Sequence, residues 1–341
     1  MLYPNSSTRG NRLSWDRVDV DALDCVAVNI AVLLESVGVH DIRTPFAAEW
    51  HFSFEPQRTE AQLLLGRSPL QDLVARYTRF TIRENHLSDD DGLSADLARL
   101  ADEGPTLLFG NAYHMPWLPY ANNQHMEHSV ILTAVDDQSA DIVDAYSIRT
   151  EWGEARPTAT SVPADCLVES ISSLNSARRK IAWSIQKGSE RLGQSVDRVL
   201  YANVENILQE LDAKHAMRTF ATYYADNAKN PDILGRFALD CWLITRARQI
   251  HARWLADLAQ KSSGLTSATV AEAFENAVVR PWRTASEFAY IAFRRAKDGR
   301  SPPDTSFKLI VNQIEPAEID MAKLISKELP KQSFVTNFGV A

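Results

Sequence analysis

Three side chains could carry covalent chemistry. Cys25 directly follows Asp24, a residue suited to the N-cap of a helix, and His128 and Asp144 lie downstream on segments that read as neighbouring strands. A thiol attacks as its thiolate, a form stabilised both by the N–H groups of a helix N-terminus and by a neighbouring imidazolium. In this arrangement His128 would take the thiol proton and later give one to a leaving group. Asp144 would accept the other ring N–H and hold the imidazole in one tautomer. The first-turn N–H groups beside Cys25 could also stabilise the oxyanion of a tetrahedral intermediate. Together these residues would do acyl transfer through a thioester on Cys25. Strand register is decisive, because a slip of one residue turns Asp144 to the other face of the sheet.

The competing reading of Cys25 is an inert core thiol, which suits Cys166 and Cys241 better because neither follows an N-cap. Three cysteines, widely spaced and without a CxxC pair, argue against a disulfide framework and for a reducing cytoplasm. His114 and His125 compete with His128 for the role of base. His125, Glu127 and His128 lack the helical HExxH spacing and a further ligand nearby, so no metal is expected and no cofactor is called for. Asp136, Asp137 and Asp141 read as turn and rim residues.

These residues need elements to hold them. A chain of 341 residues is long enough for two domains, and its 45% hydrophobic and 23% charged content is that of a soluble globular protein. The net charge of −8 argues against a nucleic-acid footprint, which needs a basic face. The longest apolar stretch, Val26 to Leu34, is interrupted by Asn29 and falls short of a membrane span, so none is expected. The N-terminal residues carry no apolar signal-peptide core, and residues 1–20 read as a loose arm.

A helix is expected from the Asp24 cap to a stop at Gly38, apolar nearly all round and therefore buried. A short strand is expected at Trp50–Phe54, helices over 69–77 and 94–101, and a strand over 106–109. Two further strands, 129–135 and 141–146, flank a turn at 136–139, with another extended piece near 180–185. From about residue 186 onward the periodicity is helical. The expected fold is thus α+β, a central helix packed on an antiparallel sheet over residues 1–185, followed by an all-helical domain over 186–341. Trp242, Leu243, Trp254 and Leu255 form apolar faces that could serve a homodimer or the helical domain's own core, and the core is the reading adopted.

Three segments resemble one known family, the butirosin-biosynthesis protein H N-terminal family of papain-like cysteine acyltransferases. They are DCVAVNIAVLLESVG at 24–38, NAYHMPWLPY at 111–120, and EHSVILTAVDD at 127–137 with Asp144 following. The likeness covers roughly residues 20–150. It implies a papain-like domain in which Cys25 is the nucleophile, His128 the base and Asp144 the orienter. It also implies an acyl group delivered as a phosphopantetheine thioester on an acyl carrier protein, and a small-molecule amine or hydroxyl acceptor in natural-product (antibiotic) biosynthesis. Asn111 stands where the family often has aspartate, Ala134 replaces a glycine, and Asp19 stands where papain places its oxyanion glutamine. Asn29 and Gln124 are the candidates for a side-chain oxyanion donor.

Tyr113, Trp117 and Tyr120, with Pro116 and Pro119, read either as a stiff aromatic wall for the acyl or pantetheine chain or as a cap on the core. Two other functions stay open: hydrolysis of a peptide, amide or thioester by the same triad, and a non-catalytic binding module on the same scaffold. Carrier docking would call on Arg178, Arg179 and Lys180, or on Arg246, Arg248 and Arg253.

Overall fold

The computed structural model describes residues 13–56, 61–188, 195–261 and 268–329; the first twelve residues of the expected N-terminal arm lie outside these. The chain divides into an α+β unit, residues 1–45 and 70–193, and a helical unit, residues 46–69 and 194–341.

In the α+β unit, helix α1 (Cys25–Ser36) begins where the Asp24 carboxylate accepts the Ala27 N–H at 2.8 Å. It ends in a Schellman arrangement. The Gly38 N–H bonds the Glu35 carbonyl and the Val39 N–H the Leu34 carbonyl, with Gly38 at φ +82°, a conformation glycine adopts without penalty. Between those ends, seven consecutive residues from Val28 to Leu34 are buried, as an all-round apolar sequence requires. Helices α2 (Leu70–Tyr77), α3 (Asp90–Glu103) and α4 (Ala164–Ser172) follow.

The sheet has six strands: β1 (Phe80–His86), β2 (Thr106–Asn111), β3 (Glu127–Val135), β4 (Ser139–Asp144), β5 (Thr158–Pro163) and β6 (Ile181–Lys187). Their order is β1-β6-β2-β3-β4-β5, and every neighbouring pair is antiparallel. Central strand β3 is covered on both faces, since Val130, Ile131 and Leu132 are all fully buried; α1 and α3 both pack against it. The sequence reading finds the inner strands but passes over β1 and β5, the two edges. An edge strand pairs on one side only, and β5 shows polar residues such as Thr158, Thr160 and Ser161 with little apolar patterning. Helix α4 has no local start signal in the sequence, because Pro163 precedes it and supplies no side-chain cap.

The β3–β4 hairpin turns on Asp136, whose Oδ1 accepts the N–H groups of Gln138 and Ser139. A bulge lies between Leu132 and Ala134, so that Ala134 pairs Asp141 near the turn while Leu132 pairs Ile142 beyond it. The Thr133 hydroxyl bonds the Asp141 carbonyl at this point. The bulge decides which side chains can meet. Carried through without it, the hairpin's register would set Asp144 opposite Ile131; the observed register sets it opposite Val130, on the same face as His128.

The helical unit contains the long helices Val196–Ile207, Ala216–Asp226, Pro231–Lys261, Arg280–Lys297 and Glu315–Glu328. It also takes in residues 46–69, which the expected boundary at 185/186 assigns to the first domain. The reason is aromatic burial. Phe54 and Phe52 pack edge-on to Phe220 at 5.2 and 5.7 Å, and Trp50 packs edge-on to Phe274 at 5.0 Å. The strand expected at Trp50–Phe54 forms as Ser53–Pro56, paired with Ala61–Leu64. Trp254 and Leu255 are buried in this unit, while Trp242 lies under the Arg246 guanidinium at 4.3 Å. Among the described residues no helix is long and apolar enough to cross a membrane.

At the centre of the helical unit the fully buried Glu318 carboxylate accepts Arg248 Nε and Nη2 at 2.9 and 3.0 Å. It also accepts the indole N–H groups of Trp50 and Trp282. Arg248 gives Nη1 to the His51 carbonyl, so neither charge is left without partners. Replacing Glu318 with Gln strands the guanidinium and is expected to cost about 3–5 kcal/mol. Guanidinium unfolding followed by far-UV circular dichroism measures it, and a loss under about 1 kcal/mol would contradict the assignment.

Candidate active site

Cys25 is the first residue of α1 and is partly exposed, unlike the seven buried residues that follow it from Val28. Because the Asp24 side chain takes the Ala27 N–H and the Asp24 carbonyl takes that of Val28, the N–H groups of Cys25 and Val26 are the first-turn donors left over. They point along the helix axis, toward the region where negative charge on the sulfur or on a bound oxyanion would sit.

His128 Nε2 and Asp144 Oδ2 are 2.8 Å apart, and both side chains are almost completely buried. With Nε2 engaged by the carboxylate, Nδ1 is the nitrogen that remains for Cys25. Burial alone would lower the imidazole from its ordinary 6.5. The Asp144 carboxylate and the Cys25 sulfur, by charge and by hydrogen bonding, override burial and raise it to about 10. Burial likewise pushes the Asp144 carboxyl upward, but the imidazolium, the Trp117 indole and the Tyr146 N–H outweigh it and hold it below the usual carboxylate range. The ring of Tyr146 stands edge-on to His128 at 5.2 Å. Opposite His128 in the ladder is Gly110. A Cβ there would come within 2.4 Å of Ser170 Oγ and 2.8 Å of Met115 Cε, so the close packing beneath the histidine needs a glycine.

The other residues singled out in the sequence have different places. Trp117, half-buried, donates its indole N–H to Asp144 Oδ2 at 2.9 Å, so the polar end of this side chain supports the carboxylate. Tyr120 is buried, edge-on to Trp152 at 6.0 Å, and caps the core instead of forming a free wall. Tyr113 is partly exposed and stacks on His125 at 4.1 Å. Asn29, a candidate oxyanion donor, is fully buried. Its amide bonds the Ser129 carbonyl and the Ala145 N–H, so it is not available to a bound oxyanion. Gln124 is exposed in the turn after Tyr120.

The competing histidines and thiols are engaged elsewhere. His125 pairs its Nδ1 with the Asn111 amide, and His114 faces Glu169 at 3.4 Å. Burial pushes the Cys166 thiol up, and the Cys241 thiol well up. Several basic residues considered for docking a carrier are already partnered. Arg178 pairs with Glu127, Lys180 with Asp89, and Arg248 with Glu318. Trp117 and Tyr146 as partners of the carboxylate were missed by sequence reasoning. Tyr146 acts through its backbone, which leaves no residue-type signal.

No protein-family model matches the chain, and no curated protein matches it.

The buried pair gives the fold a pH dependence. His128 is raised above its unfolded value, so its contribution is complete below about pH 6.5 and is lost as pH climbs toward about 10. Asp144 is lowered, so its contribution is complete above its ordinary 3.8 and is lost as pH falls through its folded value. Asp144→Asn is expected to destabilise the chain by about 3 kcal/mol near pH 6, with the gap from wild type narrowing toward pH 10. Melting temperatures across that range check it, and a gap that widens with pH would contradict the ion-pair assignment.

Proposed function

We propose that the α+β unit is a papain-like cysteine catalyst that transfers an acyl group from a thioester to an amine or hydroxyl acceptor. One observation carries this reading: His128, buried and paired with Asp144, is drawn to a high pKa partly by the sulfur of Cys25, which opens α1 and is partly exposed. Such a pair supplies a nucleophile and a proton together.

The sulfur attacks the thioester carbonyl, and the resulting oxyanion is met by the N–H groups of Cys25 and Val26. As the tetrahedral intermediate collapses, the carbon–sulfur bond to the leaving thiol breaks and the His128 proton passes to that thiol. The neutral imidazole then takes a proton from the incoming amine or hydroxyl as it attacks the acyl-Cys25 carbonyl. An amide or ester leaves, and the sulfur and imidazolium are restored. Asp144 holds the ring through both halves, and Trp117 and the Tyr146 N–H hold Asp144. An acyl carrier protein is the donor implied by the family resemblance.

Hydrolysis is the second reading. The partnered state of Arg178, Lys180 and Arg248 favours it, because an acidic carrier protein needs free basic residues to dock. In that case water takes the acceptor's place and the donor is a small thioester or amide.

Incubation with an acyl-pantetheine thioester followed by intact-mass measurement is expected to add one acyl group to the wild type and none to Cys25→Ala. His128→Ala is expected to acylate on the order of 100–10,000-fold more slowly. Release of the adduct by added amine, as the amide, supports transfer; release as free acid at the same rate without amine supports hydrolysis. No adduct on the wild type with any thioester length would remove both.

A further inference from the structure

One side chain joins the three segments that carry Cys25, His128 and Asp144, and it takes no part in the chemistry described above. Asn29 lies one turn after Cys25 on α1 and is fully buried. Its Nδ2 donates to the carbonyl of Ser129, the residue after His128, at 2.9 Å. Its Oδ1 accepts the N–H of Ala145, the residue after Asp144, also at 2.9 Å. Beside it, the Ser129 hydroxyl donates to the Cys25 carbonyl at 2.9 Å.

The placement has a specific geometry. The β3–β4 ladder pairs Ile131 with Val143, and the same register carried two residues further sets Ser129 opposite Ala145. The Asn29 amide takes the carbonyl of one and the N–H of the other, standing where a bond between the strands would run. An amide side chain has a donor and an acceptor at fixed separation, which suits one carbonyl and one N–H at once; a carboxylate lacks the donor and an apolar side chain lacks both.

We propose that Asn29, assisted by Ser129, is the positioning residue of the site, locking the first turn of α1 to the ends of β3 and β4 so that the sulfur of Cys25 stays in register with the His128–Asp144 pair. The inference rests on reading Cys25 as the nucleophile and His128 as its partner. It extends that reading from the groups that react to the group that spaces them.

Iodoacetamide labelling of the Cys25 peptide, followed by mass spectrometry from about pH 5 to 10, tests it on the full chain. Wild type, His128→Ala, Asn29→Ala and Ser129→Ala are compared, with melting curves to establish that each is folded. Wild type is expected to label on the order of 10–100-fold faster than His128→Ala near pH 6, with the difference narrowing toward pH 10, where a thiol needs no imidazolium to ionise and the imidazole is itself losing its charge. Folded Asn29→Ala is expected to follow the His128→Ala profile, losing rate near pH 6 and keeping it near pH 10. A loss of packing alone would not produce that pH-selective change. Asn29→Ala that labels like wild type near pH 6 overturns the inference and leaves the Cys25–His128 reading standing. Wild type and His128→Ala labelling alike at every pH overturns that reading, and this inference with it. Should Asn29→Ala not fold, Ser129→Ala decides by the same criterion: a loss confined to low pH supports the lock, and a wild-type profile overturns it.

Discussion

An imidazolium and a carboxylate held out of water, 2.8 Å apart, set the terms for the rest of the α+β unit. Removing either charge from solvent is costly unless nearly every lone pair and proton finds a partner. Asp144 meets that demand with three donors: the His128 ring, the Trp117 indole and the Tyr146 backbone. The aromatic loop from Tyr113 to Tyr120 is therefore tied to the carboxylate through one indole nitrogen, and the segment after β4 through one peptide N–H. The ring nitrogen left over faces a thiol that opens a helix. The high pKa of His128 follows from that crowding of negative partners around a buried ring.

The pair depends on register, and register depends on one extra residue. The bulge beside Thr133 moves the far part of β4 by one position relative to β3. Without it Asp144 would stand on the wrong face. Beyond Ile131 and Val143 the strands are bridged by a side chain from α1, where Asn29 takes the carbonyl of Ser129 and the N–H of Ala145. Helix, strand and strand are thus held at a common point one residue from His128 and one from Asp144. Hydrogen bonds of this kind are directional, so they fix spacing in a way that apolar packing around α1 does not.

The helical unit solves the same problem around a second buried ion pair. Glu318 and Arg248 are as deeply buried as His128 and Asp144, and their surplus lone pairs and protons go to Trp50, Trp282 and the His51 carbonyl. Here every partner is internal, and the network ties the excursion at residues 46–69 to the long helices. What distinguishes the two buried pairs is the neighbour: in the α+β unit it is a partly exposed sulfur.

Much of this was legible in the amino-acid order. Asp24 before Cys25, a run of apolar residues and Gly38 after it specify a buried helix with a thiol at its mouth, because capping and termination are local. The inner strands and the late helices follow from periodicity. Edge strands β1 and β5 leave little trace in the sequence, since a strand paired on one side only is under weak patterning constraint, and residues 46–69 join the helical unit instead of the expected first domain, since alternation does not name the core it faces. The residue types Cys25, His128 and Asp144 could be picked out by chemistry, but whether they meet could not. That was decided by a one-residue bulge and by a buried amide bridging residues far apart in the chain, and such long-range hydrogen bonds leave no local pattern. The sequence alone determined which groups could react and that a buried helix carries the thiol. Only the tertiary structure decided their alignment, because register and side-chain hydrogen bonding are set by contacts between segments distant in sequence.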